Sequence, residues 1–213
     1  MGVDASGPEG PLTIYSIGHS NQSLRSFIAL LQRHGIQSLL DVRSAPYSRY
    51  VPHFNRPELE DAVERQGIRY IYLGDELGGR PLGDEFYDAQ DHVLYAHVAN
   101  APFFLRGLER LVDEGSEYRA AIMCSEEDPT NCHRHLLIAR VLESQEVQVL
   151  HIRGDDREQT EEDLKPAPTL WDAEPSSAEE ESEWKSIRPV SRRRLPSSSS
   201  SRSDEWGSDD SWT

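Results

Sequence analysis

The sequence predicts an open α/β domain, a mainly parallel sheet with helices on both faces, followed by a disordered acidic tail. Three observations carry this expectation. Short β-branched runs are apolar throughout rather than alternating, the pattern of strands buried on both faces. Helical segments separate these runs, so crossover connections between parallel neighbours are the natural pairing. Near residue 154 the composition changes to a stretch rich in Ser, Pro and Glu.

The elements follow in order. "LTIYSIG" is a strand ending in Gly18. "SLRSFIALLQRHG" then carries Leu24, Phe27, Ile28 and Leu31 at helical spacing and stops at Gly35. "QSLLDVR" is the second strand. "RPELEDAVERQG" is a charged helix with Pro57 near its start and Gly67 past its end. "IRYIYLG" is the third strand, and "DHVLYAHVANAPFFLRGLERLVDEG" is helical with a break near Pro102. "YRAAIMC" is the fourth strand, Asn131 can cap a helix from Cys132 to about Ser144, and "VQVLHI" is the fifth strand. Strand order does not follow from the pattern. Residues 1–11, small and polar, are expected to be a flexible lead-in to a domain over 12–153.

Residues 154–213 hold 16 acids and 8 bases, half of the net charge of -16. With few aliphatics, this stretch has too little apolar surface to offset its ordering entropy. Its isolated Trp171, Trp184, Trp206 and Trp212 have the look of docking aromatics, and the tail is a candidate arm for a protein partner.

Twenty-two Lys and Arg against 38 Asp and Glu argue against a general polyanion binder, which needs a basic surface. One basic pocket on an acidic protein remains compatible with that balance. Two cysteines in 213 residues do not make a disulfide-stapled secreted scaffold. No apolar run approaches the roughly 18–20 residues of a membrane helix, and no basic start precedes an apolar stretch. The expectation is a soluble intracellular protein, cytoplasmic rather than nuclear, with no membrane partner.

In an open parallel sheet, ligands bind beyond the carboxyl ends of the strands. The residues that are odd for a core collect there. The first strand ends in "GHSN" with His19 and Ser20, and the second in "DVRSAPYSRY" with Asp41 and Arg43. The third ends in "LGDELGGRPLGD" with Asp75, Glu76, Gly78, Gly79 and Arg80, and the fourth in "CSEEDPTNCHR". Four polar clusters at four successive strand ends are expected to meet over one edge of the sheet.

The same stretches, "SIGHS", "LLDVRSAPYSRYVPHFN", "YIYLGDELGG" and "MCSEEDPTNCHR" in this order, resemble the family catalogued as domain of unknown function 488, DUF488. The resemblance covers residues 12–153 and leaves out the tail. Position by position it implies site residues at His19, Ser20, Asp41, Arg43, Pro46, Ser48, Phe54, Leu73, Gly74, Leu77, Gly79, Cys124, Glu126, Cys132, His133 and Arg134. It implies no reaction.

Three chemistries suit this set. A helix start, Arg134 and protonated His133 would lower the thiol pKa of Cys132, with Cys124 able to resolve it as a disulfide. Cys124, Cys132, His133 and His19 are soft metal donors, but Cys-x7-Cys-His is not a usual zinc spacing, and adjacent helical residues point about 100° apart. The third chemistry uses all four clusters: an anion or nucleotide pocket in an enzyme, a hydrolase or transferase acting on a phosphate-bearing small molecule. Arg43 and Arg134 would bind the anion, with Ser20, Asp41, Gly79 and His133 completing the ligand site. Glu126 or His19 would be acid or base, and Cys124 or Cys132 a nucleophile. The alternative from another class is a non-catalytic module that reads a ligand or a nucleic-acid end. The residues name no cofactor.

Overall fold

Six strands form one sheet in a computed structural model, which describes residues 10–165 and 184–193. They are β1 (Thr13–Gly18), β2 (Ser38–Asp41), β3 (Arg69–Tyr72), β4 (Ala120–Cys124), β5 (Gln148–Ile152) and β6 (Glu158–Thr160). The order across the sheet is β3-β2-β4-β1-β5-β6. The first five are mutually parallel, and β6 runs antiparallel to β5 at the edge. The expected mainly parallel α/β architecture is therefore the one observed.

The helices are α1 (Leu24–Arg33), α2 (Arg56–Glu64), α3 (Tyr95–Ala99), α4 (Pro102–Glu117), α5 (Arg140–Glu143) and α6 (Glu161–Leu164). Ser23 caps α1 by accepting from the Ser26 N–H, and Gly35, at φ 62°, turns the chain out of it. Pro102 starts α4 where its missing N–H costs nothing, which is why the long helical segment breaks there.

The sheet divides two cores. Tyr15, Ile17, Leu39, Ala121 and Met123 face α1 and α2, packing with Phe27, Leu31, Leu59 and Val63. Ile14, Leu40, Ile122 and Cys124 face the other way, onto Phe104, Leu108 and Leu111 of α4 and Leu142 of α5. Helices cover both faces, so the central strands are buried along their length, as their unbroken apolar runs require.

Two features depart from expectation. The folded part continues past residue 153: β6 and α6 follow, and a second stretch, 184–193, packs back on the domain. The other parts of the expected disordered tail, 166–183 and 194–213, lie outside the described residues, as does most of the lead-in. Among the described residues no helix is long and apolar enough to cross a membrane.

Candidate functional site

Parallel pairing puts the carboxyl ends of β1, β2 and β4 side by side. β4 lies between the other two, with Gly18 opposite Cys124 and Asp41 opposite Met123. The ladder continues past the strands, where the His19 N–H donates to the Cys124 carbonyl and the Val42 N–H to that of Met123. Gly18 is required by space, since a Cβ there would lie 1.9 Å from the Glu126 carbonyl oxygen.

Between Cys124 and Cys132 the chain makes a single 3-10 turn, Pro129–Asn131, opened by the Asp128 carboxylate accepting from the Thr130 N–H. Cys132 follows in extended conformation, φ −126° and ψ 145°, and the next helical segment, Arg134–Ala139, is a π-helix that runs into α5. This corrects the expected helix starting at Cys132. It also removes the 100° objection, because Cys132 and His133 do not share a helix.

Their side chains converge. His133 Nδ1 lies 3.6 Å from Cys132 Sγ and 3.9 Å from Cys124 Sγ. The other ring nitrogen, Nε2, is 3.1 Å from the Val42 carbonyl oxygen. A carbonyl only accepts, so Nε2 carries the proton and Nδ1 is the atom that meets the sulfurs. Gly79 gives the ring room, as a Cβ there would be 2.8 Å from Nδ1.

Both cysteines are free and buried. Their surroundings act on the two thiols in opposite directions. Burial opposes ionisation of Cys132, but the hydrogen bond from Cys124, the Arg134 guanidinium and His133 outweigh it and hold the thiol well below its usual range. Cys124 is pushed up by that same hydrogen bond to Cys132, by burial, and by the charge beside it. The two shifts favour a thiolate on Cys132 over one on Cys124, and the two sulfurs lie within 4.8 Å of each other.

Arg134, 1% exposed, is the cation that stabilises this thiolate. Its Nε donates to Cys132 Sγ (3.4 Å), Nη1 to Ser16 Oγ (2.8 Å), and Nη2 to the Glu126 carbonyl (2.5 Å). Ser16 continues to His151 Nδ1 (2.9 Å), and Glu161 bridges His151 and His135 with one oxygen each at 2.5 Å. Ser16 and His151 are register partners on β1 and β5. A buried polar chain therefore ties the thiolate to α6.

A second knot lies between β1 and β2. Arg43 forks onto Asp41 through Nε (2.9 Å) and Nη2 (2.6 Å), and its Nη1 donates to the Phe54 carbonyl and to His19 Nε2. These contacts take four of its five N–H donors. Asp41 also accepts from Tyr70 Oη at 2.6 Å. His19 Nδ1 donates to the Ser20 carbonyl at 2.7 Å, and its ring stacks on Phe54 at 4.2 Å. Burial lowers its pKa to about 4, with Arg43 adding to the effect, so His19 is a neutral imidazole with both nitrogens engaged.

A cavity of about 570 Å³ opens over the sulfur pair. Among the expected site residues Arg43, Ser48, Gly79, Cys124, Glu126, Cys132 and His133 line it, and so does Arg80. His19, Ser20, Asp41 and Arg134 stand behind the lining: His19 and Asp41 hold Arg43, Arg134 holds Cys132 and the Glu126 carbonyl, and the Ser20 N–H donates to the Ser125 carbonyl. Arg134, expected at the anion, instead spends its donors on the protein. Glu126 is exposed on the cavity, and among the described residues neither its carboxylate nor the Arg80 guanidinium has a side-chain partner.

Sequence reasoning missed Ser16, His151, Glu161 and the 184–193 stretch. The signal for the first two was present: a Ser and a His inside strands otherwise apolar, which must face partners when buried.

A family model described as "Domain of unknown function DUF488" matches residues 23–141. No curated protein and no solved structure matches the chain.

Proposed function

The chain belongs to the DUF488 family, and we propose that it is an enzyme, a hydrolase or group transferase, that attacks a phosphate-bearing small molecule or nucleotide unit with the Cys132 thiolate. One observation carries this reading: two buried free cysteines, with the Arg134 guanidinium against Cys132, open on a cavity that also holds arginines and the Glu126 carboxylate, which has no side-chain partner among the described residues. Arg80 and the remaining donor of Arg43 bind the substrate's anion. Cys132 Sγ forms a bond to the electrophilic phosphorus or carbon as the bond to the leaving group breaks, and the departing atom takes up a proton from water in the open cavity. Glu126 then accepts a proton from the water or acceptor that attacks the thio-intermediate and restores the thiolate. Cys124 holds the thiolate by a hydrogen bond, and Arg134 and His133 keep it charged.

The test is a panel of sugar phosphates and nucleotides, screened first by thermal shift and then for turnover. Glu126→Gln should keep the ligand-induced shift and lose turnover, and Cys132→Ser should abolish the covalent intermediate seen by mass spectrometry. Turnover intact in both variants overturns the reading. A shift without turnover in the parent chain makes the protein a binding module.

A second reading has its own support. Cys124 Sγ, Cys132 Sγ and His133 Nδ1 lie within 4.8 Å of one another, and His133 donates its other N–H to a carbonyl, as metal-bound imidazoles do. The Arg134 guanidinium beside Cys132 disfavours a cation there, which ranks this reading second. Near-stoichiometric zinc in reduced, purified protein, lost in Cys124→Ser, would reverse the ranking.

A further inference from the structure

Residues 184–193 lie beyond the matched family region and cross the domain in a defined path. One end is pinned by Trp184. Its Nε1 donates to the Leu136 carbonyl (2.6 Å), its ring meets Tyr95 edge-on, and the Arg140 guanidinium sits 4.5 Å over it. Lys185 forms a β-bridge with Leu94, and Ser186 exchanges two bonds with Val93, accepting through Oγ and donating through its N–H. The other end is pinned by charge. Arg192 pairs with Asp84 and Asp91 and covers the Tyr87 ring, and Arg193 pairs with Asp75.

Between the two anchors the chain borders the cavity. Ser186, Ile187, Arg188, Pro189, Val190 and Ser191 line it together with Cys124, Cys132 and Glu126. Ile187 is 55% exposed. Among the described residues the Arg188 guanidinium has no acidic partner. In a chain of net charge -16, the lining carries three arginines, Arg43, Arg80 and Arg188, against one acid, Glu126. Arg43 is paired with Asp41, so among the described residues the unpaired guanidiniums of the lining are those of Arg80 and Arg188.

We infer that 184–193 is a strap that completes the ligand site: it closes one side of the cavity over the cysteine pair and supplies Arg188 as a second binding residue for an anionic ligand. Residues 187–189 are exposed between buried Ser186 and half-buried Val190, whose N–H donates to the Asp91 carbonyl, so the strap lifts for entry from its 190–193 end and settles around the bound anion. Pro189 has no N–H to pair, which keeps this middle from becoming another strand. The inference deepens the reading of the cavity as the ligand site, but it does not depend on turnover.

The test uses the cysteines as reporters in the full-length chain. Iodoacetamide, neutral, reports access, and iodoacetate, an anion, reports local charge, with the modified cysteine identified by peptide mass spectrometry. Releasing the charged anchor with Arg192→Ala plus Arg193→Ala should speed iodoacetamide labelling about tenfold or more, as expected when a local opening is made easier. Arg188→Gln should leave that rate near the parent's and lower the iodoacetate-to-iodoacetamide ratio by about threefold, the effect of one guanidinium in a partly solvated site. Circular dichroism of each variant reports folding, and Arg188→Gln, which loses no side-chain partner among the described residues, is the variant least open to misfolding. Unchanged labelling in the anchor variant overturns the closure, and an unchanged ratio in Arg188→Gln overturns the role of Arg188. Both effects present with turnover intact in Glu126→Gln and in Cys132→Ser would remove the catalytic roles assigned to those residues and leave the strap in place.

Discussion

Arg134→Met removes the buried cation while roughly conserving side-chain volume, and its consequences can be worked from the contacts. The guanidinium serves the carbonyls of Glu126 and Glu127, Ser16 Oγ and Cys132 Sγ. Ser16 keeps His151 as a partner, so two carbonyls are left without one. At about 1–3 kcal/mol for each unsatisfied buried group, the loss is about 2–6 kcal/mol. These carbonyls are only part-buried and can rehydrate, which favours the lower half of that range. Against a typical total of about 5–15 kcal/mol this is a large share of the stability. The variant also loses the positive charge that holds Cys132 ionised. Urea unfolding followed by circular dichroism measures the first effect, and thiolate ultraviolet absorbance at neutral pH the second. The account predicts a lower unfolding midpoint together with lost thiolate absorbance. A variant within about 1 kcal/mol of the parent, with its thiolate signal intact, would show that Arg134 supports neither the loop nor the thiolate.

Acid should act first on His19. Burial holds its folded pKa near 4, below the ordinary 6.5, so between those values the unfolded chain binds more protons. The stability linked to His19 is full above pH 6.5 and is lost as pH falls toward 4, a loss on the order of 3 kcal/mol. His19→Phe should flatten that part of the stability–pH curve, and an unchanged slope would assign it elsewhere. Gly18→Ala drives a Cβ to 1.9 Å from the Glu126 carbonyl, so it should displace the loop that Arg134 grips and lower the melting temperature; an unchanged melting curve would contradict the close approach. Ending the chain after Gly154 removes Glu161 from between His135 and His151, whereas ending it after Lys165 keeps that bridge. The shorter chain should melt well below the longer one, and equal melting would make β6 and α6 dispensable.

The parallel core was legible because its strands are buried on both faces, and burial writes an unbroken apolar run into the chain. That same topology made the site legible: once β1, β2 and β4 run parallel, His19, Arg43 and Cys124 must end near one edge. β6 and α6 left no such mark. They are short and polar, and they are held by the Glu161 bridge rather than by a hydrophobic stripe. The chain after Cys124 misled because capping chemistry was read at Asn131, while Asp128 opens the turn and leaves Cys132 extended. Which arginines remain free was also hidden. Arg43 has its partner Asp41 two residues away, but Arg134 is occupied by Ser16 and by backbone carbonyls that no side-chain pattern announces. Trp184 had the look of a docking aromatic, and the surface it docks on is the chain's own domain.

The nucleophilic role of Cys132 rests on the opposite pulls that the site exerts on the two thiols. It is read most directly by following alkylation of each cysteine in the intact chain as a function of pH, with peptides resolved by mass spectrometry. Cys132 should reach its full rate at a pH well below the ordinary thiol range, while Cys124 lags into the alkaline range. Two cysteines that titrate together at ordinary thiol values, or Cys124 ahead of Cys132, would contradict the account.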